Sequence, residues 1–80
     1  MFKNKNNTSN NLCGLNVKKY RQSITPRLSQ RGLADKLQLE GIDLDKNAIQ
    51  RIESGQRFVT DIELLALSKV LKVSLNDLLQ

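Results

Sequence analysis

An all-α fold of five short helices is predicted for this 80-residue chain. Three features point to it. Apolar residues recur at helical intervals from residue 12 onward, one helix-start signature repeats along the chain, and no useful stretch alternates with period two. Apolar residues make up 39% of the chain, enough for a modest core, whereas aromatic residues make up only 4%. The core must therefore be built from leucine, isoleucine and valine.

The first helix is expected over residues 12–24, where Cys13, Val17, Tyr20 and Ile24 form one stripe. Pro26 ends it, because the residue before a proline avoids the helical region. The next four begin with a cap residue that takes free backbone N–H groups, flanked by apolar residues just before it and four after it. These sets are Ser29 with Leu28 and Leu33, Asp45 with Leu44 and Ile49, Thr60 with Val59 and Leu64, and Ser74 with Val73 and Leu78. Glu63 completes a capping box with Thr60, and Asp77 an approximate one with Ser74. The predicted spans are 30–39, 46–54, 61–71 and 75–80. Gly55 terminates the third helix in the manner of a left-handed C-terminal residue. In the fourth, Leu64, Leu67 and Leu71 face the core, and Ile62, Leu65 and Ala66 imply burial on a further side.

Residues 1–11 (MFKNKNNTSNN) hold five asparagines, two lysines and almost nothing to bury, and are expected to form a flexible arm ahead of a domain over 12–80. A basic arm of this kind can trail along phosphates, as in some DNA-binding domains. The apolar runs are too short for a transmembrane helix, and no apolar stretch follows Lys3 and Lys5 to make a secretory signal. Cys13, the single cysteine, has no partner for an internal disulfide, which favours a reducing cytoplasm. Its place in the apolar stripe of helix one favours a buried structural thiol over a redox sensor.

Most catalytic chemistry is excluded by composition. With no histidine and one cysteine there is no imidazole base, no Cys–His pair and no zinc cluster. The four glycines are isolated, so no phosphate-cradling loop is present. The expectation is a non-enzyme without metal or cofactor, and with no small-molecule ligand evident. The net charge of +5 is uneven: residues 1–57 carry +6 and residues 58–80 carry −1. A basic body with a nearly neutral end suggests a face for a polyanion.

Two segments then carry a family resemblance. LSQRGLADKL at Leu28–Leu37 resembles the first helix of a helix-turn-helix of the phage repressor and Cro type, and AIQRIESG at Ala48–Gly55 resembles its recognition helix and exit. DIELLALSKVLKVSLNDLL at Asp61–Leu79 is similar to that family's fourth and fifth helices. The resemblance spans residues 14–79 and implies a compact lambda-repressor-like DNA-binding domain. Ala34 would let the two motif helices approach closely, with Leu33, Leu37, Ile49 and Ile52 in apolar contact.

The resemblance also implies site residues. The second motif helix would lie in the major groove with Lys46, Asn47, Gln50 and Arg51 toward base edges. Lysine and arginine can donate to guanine, and asparagine and glutamine can pair with adenine. Gln30 matches the family's phosphate-contacting glutamine at a helix N-terminus. Arg27, Arg31, Gln56 and Arg57 are further expected phosphate partners. Arg21 and Glu53 are expected to form a partly buried ion pair tying helix one to helix three.

Two departures bear on docking. Gln38 stands where the family usually has a glycine, and the connection over Leu39–Leu44 is longer by about five residues, a cheap change thermodynamically. Gly41 is the expected turn residue there. Glu40 and Asp43 are expected to point away from DNA, because they would repel phosphate. The segment joining helices one and two is also longer, by about two residues.

The function implied is a sequence-specific double-stranded DNA-binding transcriptional regulator, cytoplasmic and nucleoid-associated. Repression is expected from size, because residue 80 leaves no room for an effector domain. Specificity implies a homodimer on DNA, with Val73, Leu75, Leu78 and Leu79 either forming the self-association surface or closing the core. An antitoxin or a restriction–modification controller would present the same residues. A protein–protein module without base readout is the alternative of a different class.

Overall fold

The structure, a computed structural model, describes residues 9–24 and 26–80. Its elements are five helices: α1 (Gly14–Ser23), α2 (Gln30–Leu39), α3 (Lys46–Glu53), α4 (Asp61–Leu71) and α5 (Leu75–Leu79). No strand pairing beyond an isolated bridge residue at Ser9 occurs among the described residues.

The four capping residues each do what their spacing predicts. Ser29 Oγ accepts from the Gly32 N–H at 2.9 Å, and Asp45 Oδ1 from the Ala48 N–H at 2.8 Å. Thr60 with Glu63, and Ser74 with Asp77, close full capping boxes. Such caps satisfy donors that the first helical turn leaves free.

α1 is shorter than the apolar stripe implies, because Ile24 is already extended at ψ 140°. Its start is served by Asn11, whose Oδ1 accepts from the Gly14 N–H at 2.7 Å. Gly14 lies so close to α3 that a methyl group there would overlap the Ile52 carbonyl oxygen. Asn16 of α1 caps the far end of the chain, donating to the Leu78 carbonyl at 2.9 Å and the Gln80 carbonyl at 2.8 Å.

The core joins Cys13 and Val17 to Leu33, Ala34, Leu37, Leu44, Ile49, Ile52, Ala66, Leu67, Leu71 and Leu78. Tyr20 and Ile24 of the predicted α1 stripe pack partly buried against it. α2 packs on α3 and α4, while α1 packs on α3, α4 and α5. Burial raises the Cys13 thiol pKa, and at 2% exposure the group is a small apolar core residue rather than a reactive thiolate.

Two expectations need correction. Ile62 and Leu65 are not buried on a second side of α4; they are 67% and 50% exposed. Helical spacing shows which residues share a face, but among the described residues no further element covers that one. The last three residues of the arm expected over 1–11 are placed differently as well. Residues 1–8 lie outside the described part, but Asn10 and Asn11 are hydrogen-bonded to residues 52–57 and Ser9 packs against Gly55.

Gly41 and Gly55 take positive φ, 83° and 82°, as expected of turn and helix-exit residues. Lys72 after α4 is the exception, a non-glycine residue in the left-handed region at φ 59° and ψ 43°. That conformation costs an L-residue roughly 1–2 kcal/mol. Lys72→Gly is therefore expected to raise stability by up to about 1 kcal/mol, once glycine's greater unfolded-state freedom is subtracted. A shift of the urea midpoint to higher concentration checks this.

Candidate nucleic-acid interface

α3 has two distinct sides. Ile49 and Ile52 are fully buried, which fixes the rotation of the helix and turns Lys46, Asn47, Gln50 and Arg51 to solvent. Ala48, half-buried, packs against the core edge. The exposed set consists of two cations and two amides, all able to donate hydrogen bonds and none carrying negative charge.

Behind this face the helix is held by a buried polar cluster. Arg21 Nε donates to Glu53 Oε2 at 2.6 Å and its Nη2 to Glu53 Oε1 at 3.0 Å, while Nη1 donates to the Leu28 carbonyl at 2.9 Å. The two side chains are only 9% and 4% exposed. One residue thus ties α1, the start of α2 and the end of α3 together. The forked, two-bond geometry is the strong form of such a pair.

Gln30 completes the cluster by donating from Nε2 to Glu53 Oε1 at 3.0 Å. Its amide is thereby fixed in orientation at the first turn of α2. Around it, Arg21, Arg27, Arg31 and Lys46 line a shallow cleft with Ser29 and Gln30, and no carboxylate lines it. The cleft lies where α2 and α3 both begin, so helix-dipole positive ends and exposed cations face the same space.

Past α3 the arrangement differs. Gln56 is exposed, but Arg57 forks onto Glu63, with Nη1–Oε1 at 2.8 Å and Nη2–Oε2 at 3.1 Å. Glu63 also accepts from the Thr60 N–H at 3.1 Å. Arg57 thus has an intramolecular carboxylate partner that reduces the charge it offers to a phosphate. The hydrogen bonds from Arg57, reinforced by Thr60, hold the Glu63 carboxyl below its ordinary value of 4.5. Stability from this clamp is fully present above that ordinary value and is lost as pH falls through the lower folded-state value. A thermal melt should thus weaken below about pH 4.5, and Glu63→Gln should flatten that part of the profile.

The extended turn keeps its acids outward, with Glu40 and Asp43 both exposed. Leu44 is buried in the same core cluster as Ile49, while Leu39 ahead of it is exposed. Of the four C-terminal apolar residues, Leu78 is fully buried and Val73 packs against the core. Leu75 and Leu79, 41% and 42% exposed, are left facing solvent.

The Gln30–Glu53 bond, the Arg57–Glu63 fork and the docking of Asn10 and Asn11 were not expected from the sequence. A signal for the last was present. Asn11 precedes Gly14 by three residues, the offset at which a side-chain oxygen reaches a helix-start N–H. Among the described residues no cluster of His, Cys, Asp or Glu could hold a metal ion, and no helix is long and apolar enough to cross a membrane.

No curated protein and no solved structure matches the chain. A family model described as helix-turn-helix matches residues 17–78, from the first buried turn of α1 to the last buried leucine of α5. With that match covering most of the chain, and with α2 and α3 arranged as above, the chain belongs to the helix-turn-helix family of the phage repressor and Cro type, a family of DNA-binding transcriptional regulators.

Proposed function

We propose that this protein is a sequence-specific binder of double-stranded DNA that reads the major groove with α3 and acts as a repressor, as a homodimer on its site. The observation that carries the reading is the orientation of α3. Its two isoleucines are buried, and Lys46, Asn47, Gln50 and Arg51 all face outward beside the cation-lined cleft. In this reading Asn47 and Arg51 are the main base contacts, with Lys46 and Gln50 beside them. Gln30, Arg27 and Arg31 bind the backbone at the start of α2, and Gln56 and Arg57 at the exit of α3.

One such helix spans only a few base pairs. Two copies related by a two-fold axis would place their recognition helices about one DNA turn apart, roughly 34 Å. Leu75 and Leu79 are the exposed apolar residues at the C-terminus available for that pairing. A cytoplasmic, nucleoid-bound location follows from the role.

The test is titration of a labelled duplex at several salt concentrations. A protein neutralising several phosphates loses affinity steeply, with log K falling linearly in log salt at about −0.9 per phosphate. Weak binding that is indifferent to salt would favour a protein–protein module, for which Leu39, 88% exposed on the lengthened turn, is the feature to examine.

A further inference from the structure

The outer face of α4 carries apolar residues that the bundle leaves uncovered. Ile62 and Leu65, with Phe58 just ahead of the helix, are each at least half exposed. One such residue on a surface needs no explanation, but three on one short stretch mark a surface for a partner. The inner face is fully used: Ala66, Leu67 and Leu71 lie in the core, with Leu64 and Val70 packed against it. The rotation of α4 is therefore fixed, and it turns Asp61, Ile62, Leu65 and Lys69 to solvent as one stripe.

The stripe is symmetric in position and opposite in charge about its centre. Asp61 precedes Leu65 by four residues and Lys69 follows it by four. At about 1.5 Å per residue, an acid and a base lie about 6 Å to either side of a central leucine. Neither makes an ion pair among the described residues, where the pairs are Arg21–Glu53 and Arg57–Glu63. Both charges are thus left to a partner.

Their order selects that partner. A second α4 laid antiparallel, with the two Leu65 side chains at a two-fold axis, brings Asp61 of each copy opposite Lys69 of the other. Ile62 of each copy then packs beside the opposing Leu65. A parallel pair would instead set acid against acid and base against base. The C-terminal segment lacks this property, since residues 73–80 hold no basic residue to answer Asp77.

We propose that two copies of this chain pair along the outer face of α4, antiparallel about an axis at Leu65, with Ile62 and Leu65 as the apolar centre and two Asp61–Lys69 ion pairs at the rim. The proposal rests on the homodimer reading above and names the surface that serves it. One patch meeting itself across a two-fold axis is the arrangement a closed dimer requires. A single helix pair buries less than the roughly 800 Å² per partner of a standard interface. The pairing is therefore weak in solution and gains strength when both copies sit on one duplex, where each raises the effective concentration of the other.

Sedimentation equilibrium of the full chain, without DNA, is the test. The intact chain is expected to dimerise reversibly with a Kd below about 1 mM. Asp61→Lys and Lys69→Glu each turn both ion pairs into repulsions, and each should weaken the dimer about tenfold, the scale of two exposed pairs reversed. An equimolar mixture of these two variants should recover the affinity of the intact chain as a mixed dimer, because every acid in it again faces a base. General loss of stability would not give that recovery. Leu65→Asp, which sets two carboxylates at the axis, should abolish dimerisation while circular dichroism shows the helices kept. A mixture that associates no better than its components, or a dimer undisturbed by Leu65→Asp, would overturn the surface. Dimerisation lost in Leu75→Ser/Leu79→Ser but kept in the α4 variants would also overturn it and leave the homodimer reading standing. A chain monomeric up to about 1 mM would overturn it too, and the homodimer reading would then rest on the stoichiometry found on duplex.

Discussion

Glu53→Gln is expected to destabilise the domain by about 3–5 kcal/mol, the usual cost of leaving one member of a buried ion pair without its partner. The substitution keeps the shape of the side chain. It removes the charge that faces the Arg21 guanidinium and turns one acceptor oxygen into an NH2 group. That oxygen receives donors from Arg21 or Gln30, which the amide cannot satisfy in the same way. At roughly 4–8 °C per kcal/mol for a domain of this size, the melting temperature should fall by more than about 10 °C. Replacing both Arg21 and Glu53 by methionine should restore much of the loss, because an apolar pair carries no desolvation cost. An unchanged melting temperature in Glu53→Gln would show that the pair does not hold α1 to α3.

The second large effect is expected from Leu67→Ala. Leu67 is fully buried on α4, the helix that packs against α1, α2 and α5. Removing its branched end leaves a cavity that three neighbouring helices would have to shift to fill, at a cost of about 2–5 kcal/mol. The urea midpoint should fall while the slope of the transition stays constant, the signature of lost stability without a change in the unfolded chain. For a domain whose total stability is of order 5–10 kcal/mol, this leaves little margin. Loss of DNA binding in the same variant would then track the folded fraction, whereas Arg51→Ala should affect binding with the melting curve intact.

Why some parts of this molecule are readable in its sequence follows from the range of the interactions. The starts of α2, α3, α4 and α5 are local events. Ser29, Asp45, Thr60 and Ser74 each bond an N–H three residues on, so residue type and offset suffice to find them. Ile49 and Ile52 likewise declare the inner side of α3, and the outward direction of Asn47 and Arg51 follows from helical geometry alone. The lengthened turn is also local, with Gly41 supplying the positive φ it needs.

Non-local features are harder to see. Asn10 and Asn11 look like part of a polar tail, and only the folded chain shows that residues 46 positions away supply their partners. The same holds for the outer face of α4, where Ile62 and Leu65 have core-like identity and spacing but stay exposed. In the candidate site, the Gln30–Glu53 bond depends on the approach of α2 to α3, which the longer turn makes difficult to predict. Arg57 looks like a free cation until α4 brings the capping-box Glu63 to it.

Base reading by α3 is tested most directly by selecting binding sites from a random duplex pool at about 0.15 M salt, with the intact chain and an Arg51→Ala variant side by side. A two-fold symmetric consensus is expected for the intact chain, with relaxation at one base position per half-site in the variant, worth about 1–3 kcal/mol of discrimination. No consensus from the intact chain, or the same consensus at full stringency from the variant, would contradict it.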